Sequence, residues 1–392
     1  MSEPAPGQRP PLTGILVADF SRVLAGPYAT MLLADLGADV VKVESPQGDE
    51  TRGWKPPVRG DDSTYYLGVN RGKRSLALDL RVEQDAAVAR ELARRADVMV
   101  ENFRPGSLAK FGLDHESVRA GNPGLVYASI TGFGSGAGRH VPGYDLMVQA
   151  ISGLMSLTGD ADGPPYRAGI SVFDVMAGNH AVIGVLAALR HRDATGEGQL
   201  VEVNLLSSAL TGLVNHSSAY VAGGVVPFRM GNAHPSVFPY EPLPTADKEL
   251  IVTAANDGQF RKLCGVLGIP EIADDARFAR NSDRTANRGE LRPVLVERLA
   301  ERTADEWFDL LVAAGVPCGP INTIDGGFAA AERFELDPVV TVGQGDRAVP
   351  TTRHPIRLSR TPARHELPPP ELDEHGDELR AWLCAPEDGA DG

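Results

Sequence analysis

Residues 15–44 read ILVADFSRVLAGPYATMLLADLGADVVKVE, and the changes of texture along them decide the fold class. Ile15–Phe20, apolar but for Asp19, has the length and composition of a strand buried on both faces. Ser21–Pro27 is a turn. Tyr28–Leu36 follows as a helix, with Pro27 near its first position and Gly37 at its C-terminal stop. Ala38–Glu44 is a second strand. Strand, helix and strand within about 30 residues make a βαβ unit, which implies a right-handed crossover and a parallel sheet. The pattern recurs in a helix over Glu83–Ala96, strands at Asp97–Glu101 and Gly124–Ile130, a long small-residue helix from Asp174 to about Arg192, and a strand at Leu200–Asn204. This half is doubly wound α/β in character.

Between about 215 and 245 the chain turns to Gly, Pro, His and Tyr without clear period, and a second unit follows. It has a strand at Leu250–Ala254 and helices near Gln259–Leu267, Gly289–Ala300 and Asp305–Ala314. Residues 335–370 are Pro-rich and irregular, and a short helix over Glu371–Leu383 comes last. The expected organisation is a flexible leader at 1–11, a large domain at 12–215 rejoined by 335–383, a linker and small domain at 216–334, and an acidic tail at 384–392.

The 392 residues are 42% hydrophobic and 23% charged, which excludes disorder or fibrous structure for the chain as a whole. Net charge is −14. Residues 361–392 carry nine carboxylates against Arg364 and Arg380, so half of the excess sits near the C-terminus. No basic face for a nucleic-acid backbone is indicated. Cys264, Cys318 and Cys384 fit neither a disulfide framework nor a zinc site, which suggests a reducing compartment. MSEPAPGQRPP lacks the apolar stretch of a secretory signal, and the longest apolar run, Ala181–Leu189, is too short to span a bilayer. The expectation is a cytoplasmic protein with no membrane or nucleic-acid partner.

The first βα turn, SRVLAGP, holds a single glycine, Gly26, so the dinucleotide fingerprint is absent and a nicotinamide or flavin cofactor is disfavoured. NRGKRS at 70–75 puts three cations in four positions. They are either a solvated turn before the LALDL strand or a phosphate clamp. With only six lysines in the chain, Lys42, Lys73 and Lys110, together with Arg104, could form an electropositive groove for a polyanionic small molecule. Asp174 stands where the chain enters the long helix. It reads as an N-cap, or as a carboxylate nucleophile toward an activated carbonyl; a helix N-terminus would lower its pKa and keep it ionised. None of the nine histidines makes HxxxH or HxH, so no metal site is expected. His234 reads as a turn histidine or a catalytic one, and His180 as a core histidine. No GxSxG elbow is present.

Taken in order, DFSRVLAGPYATMLLADLGADVVKVESPQGDETRGW, NRGKRSLALDL, ADVMVENFRPGSLAKFGL, NPGLVYASITGFG, PGYDLMVQAISGLMSLTG, DVMAGNHAVIGVLAALRHRDATGEGQLVEV, GNAHPSVFPY, RFARNSDRTANR and AGVPCGPI resemble the class III CoA transferases (CaiB/BaiF type). That group includes formyl-CoA transferase, carnitine CoA-transferase and α-methylacyl-CoA racemase. The resemblance runs from about residue 12 to 355.

It implies a Rossmann-like large domain with a parallel sheet, a smaller α+β domain, and an interlocked homodimer. It implies an acyl-CoA:carboxylate CoA-transferase with acyl-CoA as substrate and no tightly bound cofactor. Asp174 falls on the family's catalytic aspartate, which forms aspartyl anhydride and aspartyl-CoA thioester intermediates. Tyr144 in PGYD matches the transferase branch; the racemase branch has a histidine there as second base. Val23, Leu24 and Ala25 match the segment lining CoA, and Lys42, Arg71, Lys73, Arg74, Arg104 and Lys110 match basic positions around its phosphates. Trp54 matches a residue near the acyl site. Gly231, Asn232 and His234, in GNAHPS, stand where formyl-CoA transferase has a run of glycines, a departure that argues against formyl-CoA and oxalate. The alternatives are a racemase or epimerase of the same family, with His234 as the other base, and a non-catalytic CoA-binding protein.

Overall fold

The computed structural model describes residues 9–385. They fall into two compact units: one comprises the chain up to Gly153, Ala168–Val225 and the chain from Asp337 onward, and the other Leu154–Arg167 with Val226–Leu336. The second unit thus takes in a short segment just before the long helix, and the helix Val214–Val221 stays with the first. Of the expected leader and acidic tail, residues 1–8 and 386–392 lie outside the described residues.

The first unit is built on six parallel strands: β1 (Leu16–Asp19), β2 (Asp39–Glu44), β3 (Lys73–Ala77), β4 (Val98–Glu101), β5 (Val126–Thr131) and β6 (Leu200–Asn204), in the order β3-β2-β1-β4-β5-β6. Val17, Ala18, Val40, Val41, Val98, Met99, Val126 and Ala128 are fully buried, as strands covered on both faces must be. Helix α1 (Ala25–Asp35) connects β1 to β2, and α2 (Glu83–Arg95) leads into β4. The order reverses between β1 and β4, which opens a crevice beyond the carboxyl ends of those strands.

Three expectations are corrected here. Helix α1 begins at Ala25 rather than Tyr28, so Pro27 is its third residue, still in the turn where a missing N–H costs no hydrogen bond. Strand β3 begins at Lys73, so the KRS cations belong to the sheet and not to a solvated turn. Residues 335–370 are not irregular throughout: Val339–Val342 and Val349–Thr352 pair as an antiparallel hairpin.

The chain then runs back over the first unit. Gly72 N donates to Leu367 O at 3.0 Å and the Tyr66 hydroxyl to Pro370 O at 3.1 Å. The last helix, Gly376–Cys384, buries Leu379 and Leu383 in the core shared by Leu76, Leu92 and Tyr127. Asp373, counted among the acidic excess, accepts the Ala77 amide at 2.7 Å.

Helix α3 (Asp145–Ile151) and the 24-residue α4 (Val172–Thr195) complete the part of the first unit that matters for the site. By length and apolarity alone α4 could cross a membrane, yet Phe173, Ala177, Ala181, Val185 and Ala188 form a buried stripe. The second unit has an antiparallel sheet of Tyr240–Pro244, Glu249–Thr253 and Cys318–Pro320. Helices Asp257–Val266, Arg288–Leu299 and Ala304–Ala313 accompany it around Leu250, Phe260, Leu295 and Trp307, an α+β arrangement.

Candidate active site

Loops from four strand ends line one pocket in the first unit: Arg22–Ala25 after β1, Asn102–Pro105 after β4, Ile130–Gly134, Gly138, Arg139 and Val141–Tyr144 around the end of β5, and Leu205 after β6. Asp174 of α4 and Glu50 complete it. The long loop after β5 closes on itself at Gly132 and Gly143. A Cβ on either would come within 2.5 Å of the other's Cα, so this approach requires glycine at both places.

Asp174 is the third residue of α4 and does not cap it. Ser171 holds the cap position but its side chain makes no capping bond to the helix, and Asp145, the first residue of α3, does the capping instead. Its Oδ1 accepts the Phe173 amide at 2.7 Å and the Asp174 amide at 3.2 Å. Gln149 fixes the same segment, its Oε1 accepting Ala168 N at 2.8 Å and its Nε2 donating to Ile170 O at 3.1 Å. Burial first, and then the Asp145 carboxylate, push the Asp174 carboxyl up to about 7. The expected lowering by the helix N-terminus is overridden.

Tyr144 lines the same pocket at its exposed rim, 58% accessible. Val23, Leu24, Ala25 and Arg104 also line it. Trp54 packs edge-on against Tyr65, centroids 5.0 Å apart. Tyr65 is hydrogen-bonded to Ser171, and burial followed by the charge of Asp174 raises its hydroxyl to about 12.

The remaining basic positions divide. Lys42, Arg71 and Lys73 are buried and committed to carboxylates, so they do not present themselves to a ligand in this pocket. Lys42 Nζ donates to Asp49 at 3.0 Å, Lys73 Nζ to Asp19 at 3.0 Å, and Arg71 grips Asp35 through Nε at 2.9 Å and Nη2 at 2.6 Å. Burial lowers Lys73 to about 8 despite Asp19. Arg74 pairs with Asp39 and Glu378 on the surface. Lys110 lies 4.8 Å from the Phe111 ring and is not among the pocket residues.

Gly231, Asn232 and His234 belong to the second unit. His234 Nδ1 accepts Ser236 N at 3.1 Å, as a turn histidine does, and His180 Nδ1 is 2.9 Å from Ser208 Oγ. Among the described residues no group of three or more His, Cys, Asp or Glu is placed to hold a metal ion.

Sequence reasoning did not single out Arg22, Asn102, Phe103, Arg139 or Asp145. Nor did it find Glu101, a buried carboxyl raised to about 7 by burial, which accepts Phe103 N at 2.8 Å beneath the pocket loop. Asn102 and Phe103 stand in ENFRPG beside Arg104, and Asp145 beside Tyr144, so adjacency to a named residue at a strand or helix end was the available signal.

Most of the chain matches one family. The profile of CoA-transferase family III covers residues 12–376. The succinate–glutarate CoA-transferase of Agrobacterium fabrum is 44% identical over 96% of this chain and 97% of that protein. The acetyl-CoA:oxalate CoA-transferase of Acetobacter aceti is 39% identical over 99% of this chain and all of that protein. A solved CAIB/BAIF family protein from Brucella suis is 43% identical with a TM-score of 0.86, covering 96% of this chain and all of that one. The chain belongs to CoA-transferase family III. It is an enzyme that moves CoA between an acyl-CoA and a carboxylic acid.

Proposed function

We propose that Asp174 performs this transfer as the nucleophile and that the acceptor is a small dicarboxylic acid. The observation that carries the first half is the placement of a raised carboxyl on the wall of a pocket shared with Arg22, Arg104 and Arg139. A carboxylate is a weak nucleophile, and one whose conjugate acid has a pKa near 7 is a stronger one that is still about half ionised at neutral pH.

An Asp174 oxygen attacks the thioester carbonyl, the C–S bond breaks, and CoA leaves as a thiolate from an aspartyl–acyl anhydride. The thiolate attacks the aspartyl carbonyl, releasing the donor as its carboxylate and leaving an aspartyl-CoA thioester. The acceptor carboxylate then displaces the thiolate to form a second anhydride. Attack of the thiolate on the acceptor's carbonyl gives the new CoA ester and regenerates the Asp174 carboxylate. No net proton is taken up. Each tetrahedral intermediate needs N–H donors, and the first turn of α1, which no side chain caps, meets the pocket at Leu24 and Ala25. The arginines suit the CoA phosphates and the second carboxylate of the acceptor.

Relatives named for succinate, glutarate and oxalate support a dicarboxylic acceptor. The GNAHPS departure favours the longer acids. The racemase reading is weaker, because no histidine lines the pocket with Asp174 among the described residues.

We also propose a homodimer, supported by exposed Ile183 and Leu186 on α4 and by Val214, Tyr220 and Val221 on the helix Val214–Val221. A cytoplasmic location is supported by three unpaired cysteines.

The test is mass spectrometry of the reaction in D2O, with succinyl-CoA and α-methyl-branched acyl-CoA esters as donors and a panel of mono- and dicarboxylic acids. A new CoA ester that depends on a dicarboxylic acid, without deuterium at the donor's α-carbon, is the expected result. Deuterium incorporation with no acid requirement overturns the reading in favour of a racemase.

A further inference from the structure

The turn after β1 holds one residue in a conformation its own side chain opposes. Val23 has φ +68°, in the left-handed region that a β-branched residue rarely enters. Residues leading into a helix are ordinarily extended, so the conformation is imposed from outside. Asp49 accepts the Val23 amide with both oxygens, at 3.2 and 3.4 Å. Its neighbour Glu50 takes the Arg22 guanidinium at 2.7 Å. From the other side Asn102 takes both backbone groups of Arg22, its Oδ1 accepting the amide at 2.9 Å and its Nδ2 donating to the carbonyl at 2.7 Å. Two consecutive residues are therefore gripped by three side chains from two other loops.

Asp49 is itself firmly fixed. It accepts Lys42 Nζ at 3.0 Å, Thr51 N at 2.9 Å and Thr51 Oγ1 at 2.7 Å, and Lys42 also donates to Ser21 O at 3.0 Å. Burial alone would raise its carboxyl, but Lys42 and the Thr51 donors outweigh that and hold it at about 2. Asp49 does not line the pocket, whereas Arg22, Val23, Leu24 and Ala25 do.

We propose that Asp49, fixed by Lys42 and Thr51, is a positioning residue for CoA ester binding, holding Val23 left-handed and so setting the direction in which the Val23–Ala25 backbone faces the pocket. Without that acceptor Val23 relaxes to negative φ, which turns the following peptides. This gives Lys42 a part in CoA binding without contact to CoA. It rests on the reading of this pocket as the CoA ester site, and the experiment separates the two.

The dissociation constant for CoA, by calorimetry, and KM and kcat with succinyl-CoA are measured for Asp49→Ala, which removes the acceptor of the Val23 amide, for Asp49→Ala with Val23→Gly, and for Arg104→Ala. Asp49→Ala is expected to raise Kd and KM about tenfold with kcat within about threefold. Adding Val23→Gly is expected to bring both constants back to within about threefold of wild type, because glycine takes φ +68° without strain. A structural role alone lowers the thermal midpoint of Asp49→Ala, leaves Kd unmoved and gains nothing from the glycine; that result overturns the proposal.

Should Asp49→Ala not fold, Thr51→Val removes one of the groups that fix Asp49, and about a threefold rise reversed by Val23→Gly is expected. An unchanged Kd in Thr51→Val overturns the proposal in that case. If Arg104→Ala raises Kd and the Asp49 variant does not, the pocket reading stands and this one falls. If neither moves Kd, both fall.

Discussion

Asp145 caps the helix that carries Asp174, accepting the Asp174 amide at 3.2 Å while its negative charge adds to burial in raising the Asp174 carboxyl. One side chain thus helps fix where the proposed nucleophile stands and adds to its basicity. In Asp145→Asn the amide oxygen can still accept both helix amides, but the charge is gone. The kcat/KM of wild type should rise with pH through a midpoint near 7, the pKa of Asp174. In Asp145→Asn that midpoint should move to lower pH, and an unmoved limb in the pH–rate profile would contradict the coupling.

A carboxyl raised in the folded state binds a proton that the unfolded chain has already released. Between the ordinary carboxylate range and about pH 7, folding stability contributed by Asp174 therefore falls as pH rises. Asp174→Asn should abolish transfer and yet raise the thermal midpoint at pH 8, by about 1–2 °C for a stabilisation of about 1 kcal/mol. The gain should shrink toward pH 4, which differential scanning calorimetry at the two pH values would read.

Replacing Lys73 with Met leaves Asp19 buried without its cation. Urea unfolding should show a loss of about 3 kcal/mol, the usual penalty for orphaning one member of a buried pair. A variant as stable as wild type would return Lys73 to the list of candidate ligand contacts.

Arg104 and Lys110 sit six residues apart in sequence, and only Arg104 lines the pocket. Arg104→Ala should raise KM for an acyl-CoA about tenfold, and weaken the salt dependence of KM, by losing a charge-assisted contact to phosphate. Lys110→Ala should stay within about twofold. Equal effects in steady-state kinetics would argue for long-range charge rather than contact.

The six-stranded sheet was largely legible because each strand announces itself locally: a short apolar run between a helix and a turn. Asp174, Tyr144, Arg104 and the Val23–Ala25 turn were legible through motif context. The partners that give them their properties were not. Asp145 lies 29 residues from Asp174 and Asn102 lies 80 residues from Arg22, distances closed by the crossovers of the sheet and not written in any spacing. Lys42, Arg71 and Lys73 looked like phosphate ligands because a cation's local sequence does not reveal whether a carboxylate waits beside it. Their partners Asp49, Asp35 and Asp19 are set by the packing of neighbouring strands and loops. The hairpin at 339–352 escaped notice because its strands are only four residues long, largely uncovered, and contain Pro350.

All six strands of the parallel sheet are complete by Asn204, but the segment that covers Asp35 and Arg71 comes from beyond Asp337: His354 Nδ1 stands 3.1 Å from Asp35, and Arg71 donates to Thr351 Oγ1 at 3.2 Å. A ribosome adds about 5–20 residues per second. The newborn sheet therefore spends on the order of ten seconds with that ion pair open to water before its last partners are synthesised. In that interval the bidentate grip of Arg71 on Asp35 is what the nascent chain has to hold the edge of α1 against the start of β3, and a chaperone that recognises exposed apolar surface has its window there.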